Sequence, residues 1–86
     1  GVLRAIQGWR LDDGESWHGL MGYVTEKWAY ADVGYFRQDG RYYYLSTAGW
    51  SGNEEIIAAL QNNSMFWLMC WQSSRRGGHY EFEVPE

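Results

Sequence analysis

Residues 35–45 read YFRQDGRYYYL. Two runs rich in aromatic side chains, 35–38 and 41–45, flank the pair Asp39-Gly40. Because Asp-Gly tolerates the positive φ angles of a type I′ turn, this stretch predicts a tight β-hairpin. It is the clearest short-range signal in the chain, and the other elements are placed outward from it.

A helix is predicted downstream of this hairpin. Residues 51–54, SGNE, match a capping box, in which the Ser hydroxyl accepts from the Glu backbone N–H and the Glu side chain reaches back. Ile56, Ile57 and Leu60 follow at helical spacing. We therefore expect one helix over about 52–62 that turns these three side chains to the core.

A second hairpin is predicted at the C-terminal end. Residues 65–71, MFWLMCW, form an apolar run that predicts a central strand over 65–73, buried on both faces or covered by a partner. The turn falls in 75–78, RRGG. Alternation over 79–84 predicts a strand with three apolar side chains on one face: Tyr80, Phe82 and Val84.

The N-terminal part carries weaker signals. We expect a short strand at 3–10, a turn at 12–14 and either a strand or a short helix at 16–24. Alternating large and small side chains over 27–31 predict another strand. Together the elements predict an α+β fold: a single, mainly antiparallel sheet of about four to six strands with one α-helix packed on one face.

Composition limits the class of protein. The chain has 86 residues with six Trp, seven Tyr and three Phe, a formal charge of −4, and Cys70 as its single cysteine. This length predicts one domain, 1–86, and one thiol predicts a reducing, cytoplasmic setting. The acidic balance argues against broad binding to nucleic acid or to anionic lipid. No apolar run approaches the roughly 18–20 residues that cross a bilayer, so we expect no membrane partner.

The segment 73–79, SSRRGGH, is the first candidate for ligand binding. Its glycines let backbone N–H groups approach a ligand, and its arginines can grip phosphate or carboxylate. A hairpin turn with solvated charges has the same composition. The segment lacks the Lys-Ser/Thr of a P-loop, and we expect no cofactor. The candidate residues here are Arg75, Arg76, Gly77, Gly78 and His79.

The segment 49–55, GWSGNEE, is the second candidate. A capping box explains Ser51 and Glu54 but leaves the preceding Trp unexplained, and a helix N-terminus is a natural anion site. Ordinary capping and packing is the alternative. The candidate residues here are Trp50, Ser51, Asn53 and Glu54.

The aromatic side chains are too many for one face of a sheet, because neighbouring residues on a strand alternate. Some rings are therefore expected on a second surface that contacts a partner protein or a second copy of the chain. We assign this interaction surface to Trp28, Tyr43, Trp67 and Trp71.

A catalytic or metal site is not expected. Cys70 lies in an apolar run and is predicted to be an inert core residue. A hairpin turn near 75–76 places it opposite Glu81 and diagonal to His79, about 7–8 Å away, too far for a Cys-His pair. His79, Glu81 and Glu83 share one face and could hold a divalent cation, but polar residues on any open sheet face alternate in the same way.

The segments GWSGNE (49–54), MFW (65–67), CW (70–71) and SRRGGHY (74–80) resemble small uncharacterised proteins encoded by bacteriophages, prophages and other mobile elements. The resemblance covers the C-terminal half of the chain. It implies an accessory protein of a mobile genetic element. Such proteins have no established activity, so no residue role follows from it.

These observations predict a small non-enzymatic binding module. The expected partner is a protein or an anionic small molecule, held by aromatic rings and the Arg-Arg-Gly-Gly loop. Two alternatives stay open: a small enzyme on an anionic substrate with His79 as general base and Arg75 or Arg76 as clamp, and a structural homo-oligomer.

Overall fold

The computed structural model describes residues 1–12 and 14–86. The helices in chain order are α1 (Val2–Gln7), α2 (Trp17–Lys27), a 3₁₀ turn (Ala31–Val33), α3 (Ser51–Asn62) and α4 (Ser64–Cys70). The strands are β1 (Phe36–Asp39), β2 (Tyr42–Ser46), β3 (Trp71–Arg75) and β4 (His79–Glu83). All three pairings are antiparallel, in the order β1-β2-β4-β3. The α+β class and the single sheet are confirmed, but the described residues form four α-helices where one was predicted.

The first hairpin is confirmed, with its turn one residue later than expected. Asp39 pairs with Tyr42, so Gly40 and Arg41 are the two loop residues. Gly40 has a φ of 62° and supplies the left-handed conformation that a non-glycine residue avoids. Positive φ at the first loop position only is the pattern of a type II′ turn rather than type I′.

The sheet buries one face and leaves the other open. Tyr43, Leu45, Phe82 and Val84 are buried and join the core cluster formed with the helices. The residues that alternate with them point away from the helices and are exposed or half-buried. This alternation confirms the predicted pattern over 79–84 and creates a sheet face that the helices leave uncovered.

The helix predicted at 52–62 is confirmed, and its three apolar residues, Ile56, Ile57 and Leu60, are buried. The capping box is wrong. The helix begins at Ser51, and Trp50 is its N-cap, with the Glu54 N–H bonded to the Trp50 carbonyl at 3.0 Å. Ser51 is therefore one position too late to cap, because the turn over residues 47–50 already directs the chain into the helix.

The central strand predicted over 65–73 is wrong: its first part is α4 and only its end is in β3, an edge strand. The Asn63 side chain accepts from the Phe66 N–H at 3.2 Å and caps α4. Phe66 and Cys70, four residues apart, are both completely buried. The run holds Met and Leu but no β-branched residue, which favours a helix.

The strand predicted at 3–10 is wrong, because most of that segment lies in α1. For 16–24 the helix alternative is confirmed: the segment forms the first part of α2, which Ser16 caps by accepting from the Gly19 N–H at 2.9 Å. Residues 27–31 are not a strand, because Lys27 ends α2 and Tyr30 takes a left-handed φ of 59°. The turn predicted at 12–14 includes Asp13, which lies outside the described residues.

The second hairpin is confirmed with a different register. His79 pairs with Arg75, and Glu81 pairs with Ser73 rather than with Cys70 as predicted, because a bulge between Trp71 and Ser73 shifts the strand and Cys70 lies in α4. β4 occupies a central position instead of β3. Among residues 1–12 and 14–86, no helix has the length and apolar character needed to span a bilayer.

Candidate binding surface

The open face of the sheet contains a cavity of about 140 Å³. All four strands contribute to it, and Gly34 lies at its border. We call it the sheet-face cavity. Its polar and aromatic lining residues are Arg37, Tyr44, Ser46, Ser73, Arg75, His79, Tyr80 and Glu81.

Strand register explains why residues far apart in sequence meet here. Arg37 pairs with Tyr44, Tyr44 with Glu81, and Glu81 with Ser73. The next row joins Ser46, His79 and Arg75 in the same way. Residues two apart on a strand share a face, so these rows place both arginines and the histidine on the open face.

The cavity is positively charged within an acidic protein. Arg37 and Arg75 face one carboxylate, that of Glu81, whereas the chain as a whole carries −4. The Arg37 guanidinium lies over the Tyr44 ring, 4.4 Å from its centroid, which leaves its edge free to donate. Glu81 lies 3.5 Å from the Ser73 hydroxyl, at the limit of a hydrogen bond. This lining suits a small anion.

His79 lines the cavity beside Arg75, and its role as a ligand-binding residue stays a prediction. Its Nδ1 lies 2.8 Å from the Ser46 hydroxyl, so one of the two groups donates to the other. The prediction that His79 acts as a general base stays a prediction. Cys70 has no access to such chemistry: it is fully buried, and burial raises the pKa of its thiol to about 12.

The residues of the Arg-Arg-Gly-Gly loop have different positions and roles. Arg75 lines the cavity, while Arg76 is exposed in the turn and is not one of the described residues lining it. Gly78 has a φ of 79°, and a Cβ there would collide with the Thr47 hydroxyl. Its carbonyl accepts from the Thr47 N–H at 3.0 Å. Gly77 has a φ of 90°. The two glycines therefore hold the turn against the end of β2.

Trp50 is exposed and packs against a second exposed ring, Tyr30, with centroids 5.1 Å apart. Tyr30 also contacts Tyr35 at 6.5 Å. We call these three rings the aromatic ledge. Ser51 and Glu54 are exposed in the first turn of α3, beside the ledge.

Asn53 is a structural residue rather than the ligand contact that was predicted. It is buried, and its Oδ1 accepts from the Ala29 N–H at 2.8 Å. Its Nδ2 donates to the carbonyls of Ala29 (3.3 Å) and Thr47 (3.4 Å). One amide thus joins the loop before Tyr30 to the turn before Trp50.

The predicted interaction surface is wrong for two of its four residues. Trp28 is in the core and donates from Nε1 to the Ser46 carbonyl at 3.2 Å. Tyr43 is also buried, with its hydroxyl 2.6 Å from His18 Nδ1 and 3.0 Å from Gln38 Nε2. Burial raises the pKa of Tyr43. Both rings belong to the core cluster and are therefore not available to a partner.

Trp67 and Trp71 lie nearer the surface. Their rings stack at 5.9 Å with an interplanar angle of 17°, and Trp71 is exposed. Three further apolar side chains of α4 are exposed, Leu68 most strongly at 80%. We call this region the α4 surface. It consists of Met65, Leu68, Met69, Trp67 and Trp71.

The sequence did not predict several residues of the sheet-face cavity or the two tyrosines of the aromatic ledge. Arg37 and Tyr44 could have been found, because a two-residue hairpin loop around Gly40 places them opposite each other. Ser46 and Ser73 depend on the pairing of β2 with β4 and of β4 with β3, which joins distant segments. The strand predicted over 27–31 included Tyr30, which the structure places in a loop with a left-handed φ of 59°.

Comparison with known proteins does not extend this description. No family model matches the chain, and neither a curated protein nor a solved structure does. Within residues 1–12 and 14–86, no three His, Cys, Asp or Glu side chains form a group that could hold a metal ion.

Proposed function

We propose that the protein is a non-enzymatic binding module that holds the anionic group of a ligand on the open face of its sheet. The observation that carries the proposal is the convergence of Arg37, Arg75 and His79 around the sheet-face cavity. Guanidinium groups bind phosphate and carboxylate through charge-assisted hydrogen bonds, which are stronger than neutral ones.

The position of the two arginines also supports binding rather than a structural role. Arg37 and Arg75 are exposed, on a face that the helices leave uncovered. Arg41, by contrast, forms an ion pair with Glu83 at 3.1 Å at the other end of the same face. Because Glu81 is the single acid in the cavity lining, a bound anion would neutralise a net positive charge there.

Isothermal titration with inorganic phosphate tests this proposal. Alanine at Arg37 or Arg75 should weaken binding about tenfold or more, since a hydrogen bond to a charged group contributes about 1.5–3 kcal/mol. The matched control is Arg76→Ala, an exposed arginine of the neighbouring turn, which should bind nearly as well as the unchanged protein. All three variants should keep the melting temperature within a few degrees.

Equal weakening by Arg76→Ala would show a diffuse charge effect and contradict the proposal. A large loss of stability in Arg37→Ala or Arg75→Ala would make these arginines structural. Because exposed ion pairs are screened by salt, affinity should also fall as the ionic strength rises.

Self-association is a second function that a specific observation favours. The α4 surface exposes Leu68, Met65 and Trp71 beside β3, an edge strand. No charged residue occurs from residue 56 to residue 74. Two copies can therefore meet at this surface without bringing like charges together, although each copy carries a net charge of −4.

Sedimentation equilibrium tests self-association. We expect a dimer that Leu68→Lys converts to a monomer, because a buried unpaired charge opposes the contact. The matched control is Ala58→Lys, an exposed position on α3, which should leave the dimer intact. A monomer at high micromolar concentration would refute this second function.

A further inference from the structure

The aromatic ledge is exposed to an unusual degree for three neighbouring rings. Tyr30 is 50% exposed, Trp50 48% and Tyr35 38%. Tyr30 is the central ring and touches both of the others, at 5.1 Å and 6.5 Å. In a small protein, a contiguous exposed aromatic patch marks an interaction site.

The backbone beneath the ledge is held in conformations that cost free energy. Tyr30 and Ala48 take φ angles of 59° and 53°. These left-handed conformations are uncommon for residues with a Cβ and persist where the surrounding structure holds them. The buried Asn53 amide bonds to Ala29 and Thr47, each next to one of these two positions. These hydrogen bonds join the segment that carries Tyr30 to the turn that carries Trp50, which favours a ledge formed before any ligand binds.

The ledge adjoins the sheet-face cavity. Gly34 lies at the cavity border, and Tyr35 follows it in the chain. The Tyr35 carbonyl accepts from the N–H of Ser46, a cavity residue, at 2.9 Å. Tyr35 precedes Phe36, which packs on the core, so Tyr35 lies on the same open side of the sheet as Arg37.

The cavity is too small for a whole ligand of ordinary size. Its volume of about 140 Å³ lies below the roughly 300–1,000 Å³ of pockets that enclose a drug-sized molecule. It fits one small group, such as a phosphate, and the remainder of the ligand must lie outside. The ledge adjoins the cavity through Gly34 and Tyr35, and its rings can stack on a flat π system.

We propose that the ligand is a mononucleotide whose phosphate occupies the sheet-face cavity and whose base stacks on the aromatic ledge. This inference rests on the proposed anion-binding function and names its ligand class. Charge sets the orientation: Asp32 and Glu54 are exposed beside the ledge and repel a phosphate there, whereas Arg37 and Arg75 attract it in the cavity. The net charge of −4 favours a free nucleotide over the polyanionic backbone of a nucleic acid strand.

Titrations with AMP, adenosine, ribose 5-phosphate and inorganic phosphate separate the two halves of the site. AMP should bind about tenfold or more tightly than ribose 5-phosphate, because stacking of one base contributes on that scale. Tyr30→Ala should remove this advantage of AMP and leave the affinity for ribose 5-phosphate unchanged. Arg37→Ala should weaken the binding of both phosphates.

The matched control is Tyr42→Ala, a tyrosine on the same sheet face beside the Arg41–Glu83 ion pair, which should not change AMP binding. Circular dichroism checks folding, and Trp50→Ala is a second ledge variant should Tyr30→Ala unfold. Tighter binding of a short adenylate strand than of AMP, with a steep salt dependence, would overturn the assignment to a free mononucleotide.

Equal affinities for AMP and ribose 5-phosphate would overturn this inference while leaving anion binding intact. An AMP advantage that survives both Tyr30→Ala and Trp50→Ala would overturn it as well. If none of the four probes binds, the proposed function fails together with the inference.

Discussion

Replacing Asn53 with alanine should strongly destabilise the protein. The Asn53 amide makes one short hydrogen bond, 2.8 Å to the Ala29 N–H, and two longer ones, 3.3 Å and 3.4 Å, to the carbonyls of Ala29 and Thr47. Asn53 and Thr47 are 1% and 2% exposed and Ala29 is half-buried, so water can only partly replace the lost amide. Alanine leaves these backbone groups without their partner.

The magnitude follows from the burial of these groups. A buried group left unpaired costs about 1–3 kcal/mol, and the short bond dominates here, so we expect a loss of about 2–4 kcal/mol. In a domain of this size about 1 kcal/mol corresponds to roughly 4–8 °C. The melting temperature should therefore fall by about 10–25 °C.

Urea denaturation followed by tryptophan fluorescence measures the free energy of unfolding, with thermal circular dichroism as a second probe. The matched control is Asn62→Ala, the same substitution at an exposed position of α3, which should change stability by less than about 0.5 kcal/mol. If Asn53→Ala lowers the free energy of unfolding by less than about 1 kcal/mol, this amide does not hold the two segments together.

Three further predictions concern glycine, cysteine and pH. Gly78→Ala should destabilise the protein by about 2 kcal/mol or more, because the φ of Gly78 is 79° and the new Cβ would meet the Thr47 hydroxyl. Gly22→Ala should instead stabilise by about 0.5–1 kcal/mol, since among the residues that the structure describes nothing lies near this helical position. Chemical denaturation measures both free energies of unfolding, and the reverse order of stability would contradict the packing. Cys70 should react with Ellman's reagent at pH 8 only after unfolding, because burial raises its pKa to about 12, and fast reaction of the native protein would refute its burial. Because of the same raised pKa, the Cys70 thiol of the folded state keeps a proton that the unfolded chain loses near pH 9. The contribution of this thiol to the free energy of unfolding is therefore complete below pH 9 and declines toward pH 12. Cys70→Ala should lack this decline when denaturation is measured across that pH range.

Local signals predicted the elements around the first hairpin and α3 well. The Gly40 turn, the three buried residues of α3 and the alternation of β4 each depend on residues close together in sequence. The prediction of a strand over 65–73 is wrong because residues 65–71 are all apolar, and such a run has no readable period. The decisive information was the Asn63 cap and the absence of β-branched residues from the run.

The candidate site was predicted in part, for a similar physical reason. Trp50, Arg75 and His79 stand out in the sequence by their local composition, and the structure places them on or beside the proposed surface. Asn53 looked like a ligand contact, but its partners Ala29 and Thr47 are brought to it only by tertiary packing. Trp28 and Tyr43 looked available for a partner because sequence alone cannot say which face the helices cover.

A phosphate titration of ¹⁵N-labelled protein, followed residue by residue by NMR, separates a defined phosphate site on the sheet from diffuse attraction to surface charge. Binding in the sheet-face cavity should give saturable shifts centred on Arg37, Ser46, Arg75 and His79, the residues that the strand register brings together. Shifts that do not saturate, or that centre on arginines outside the cavity such as Arg4, would contradict it.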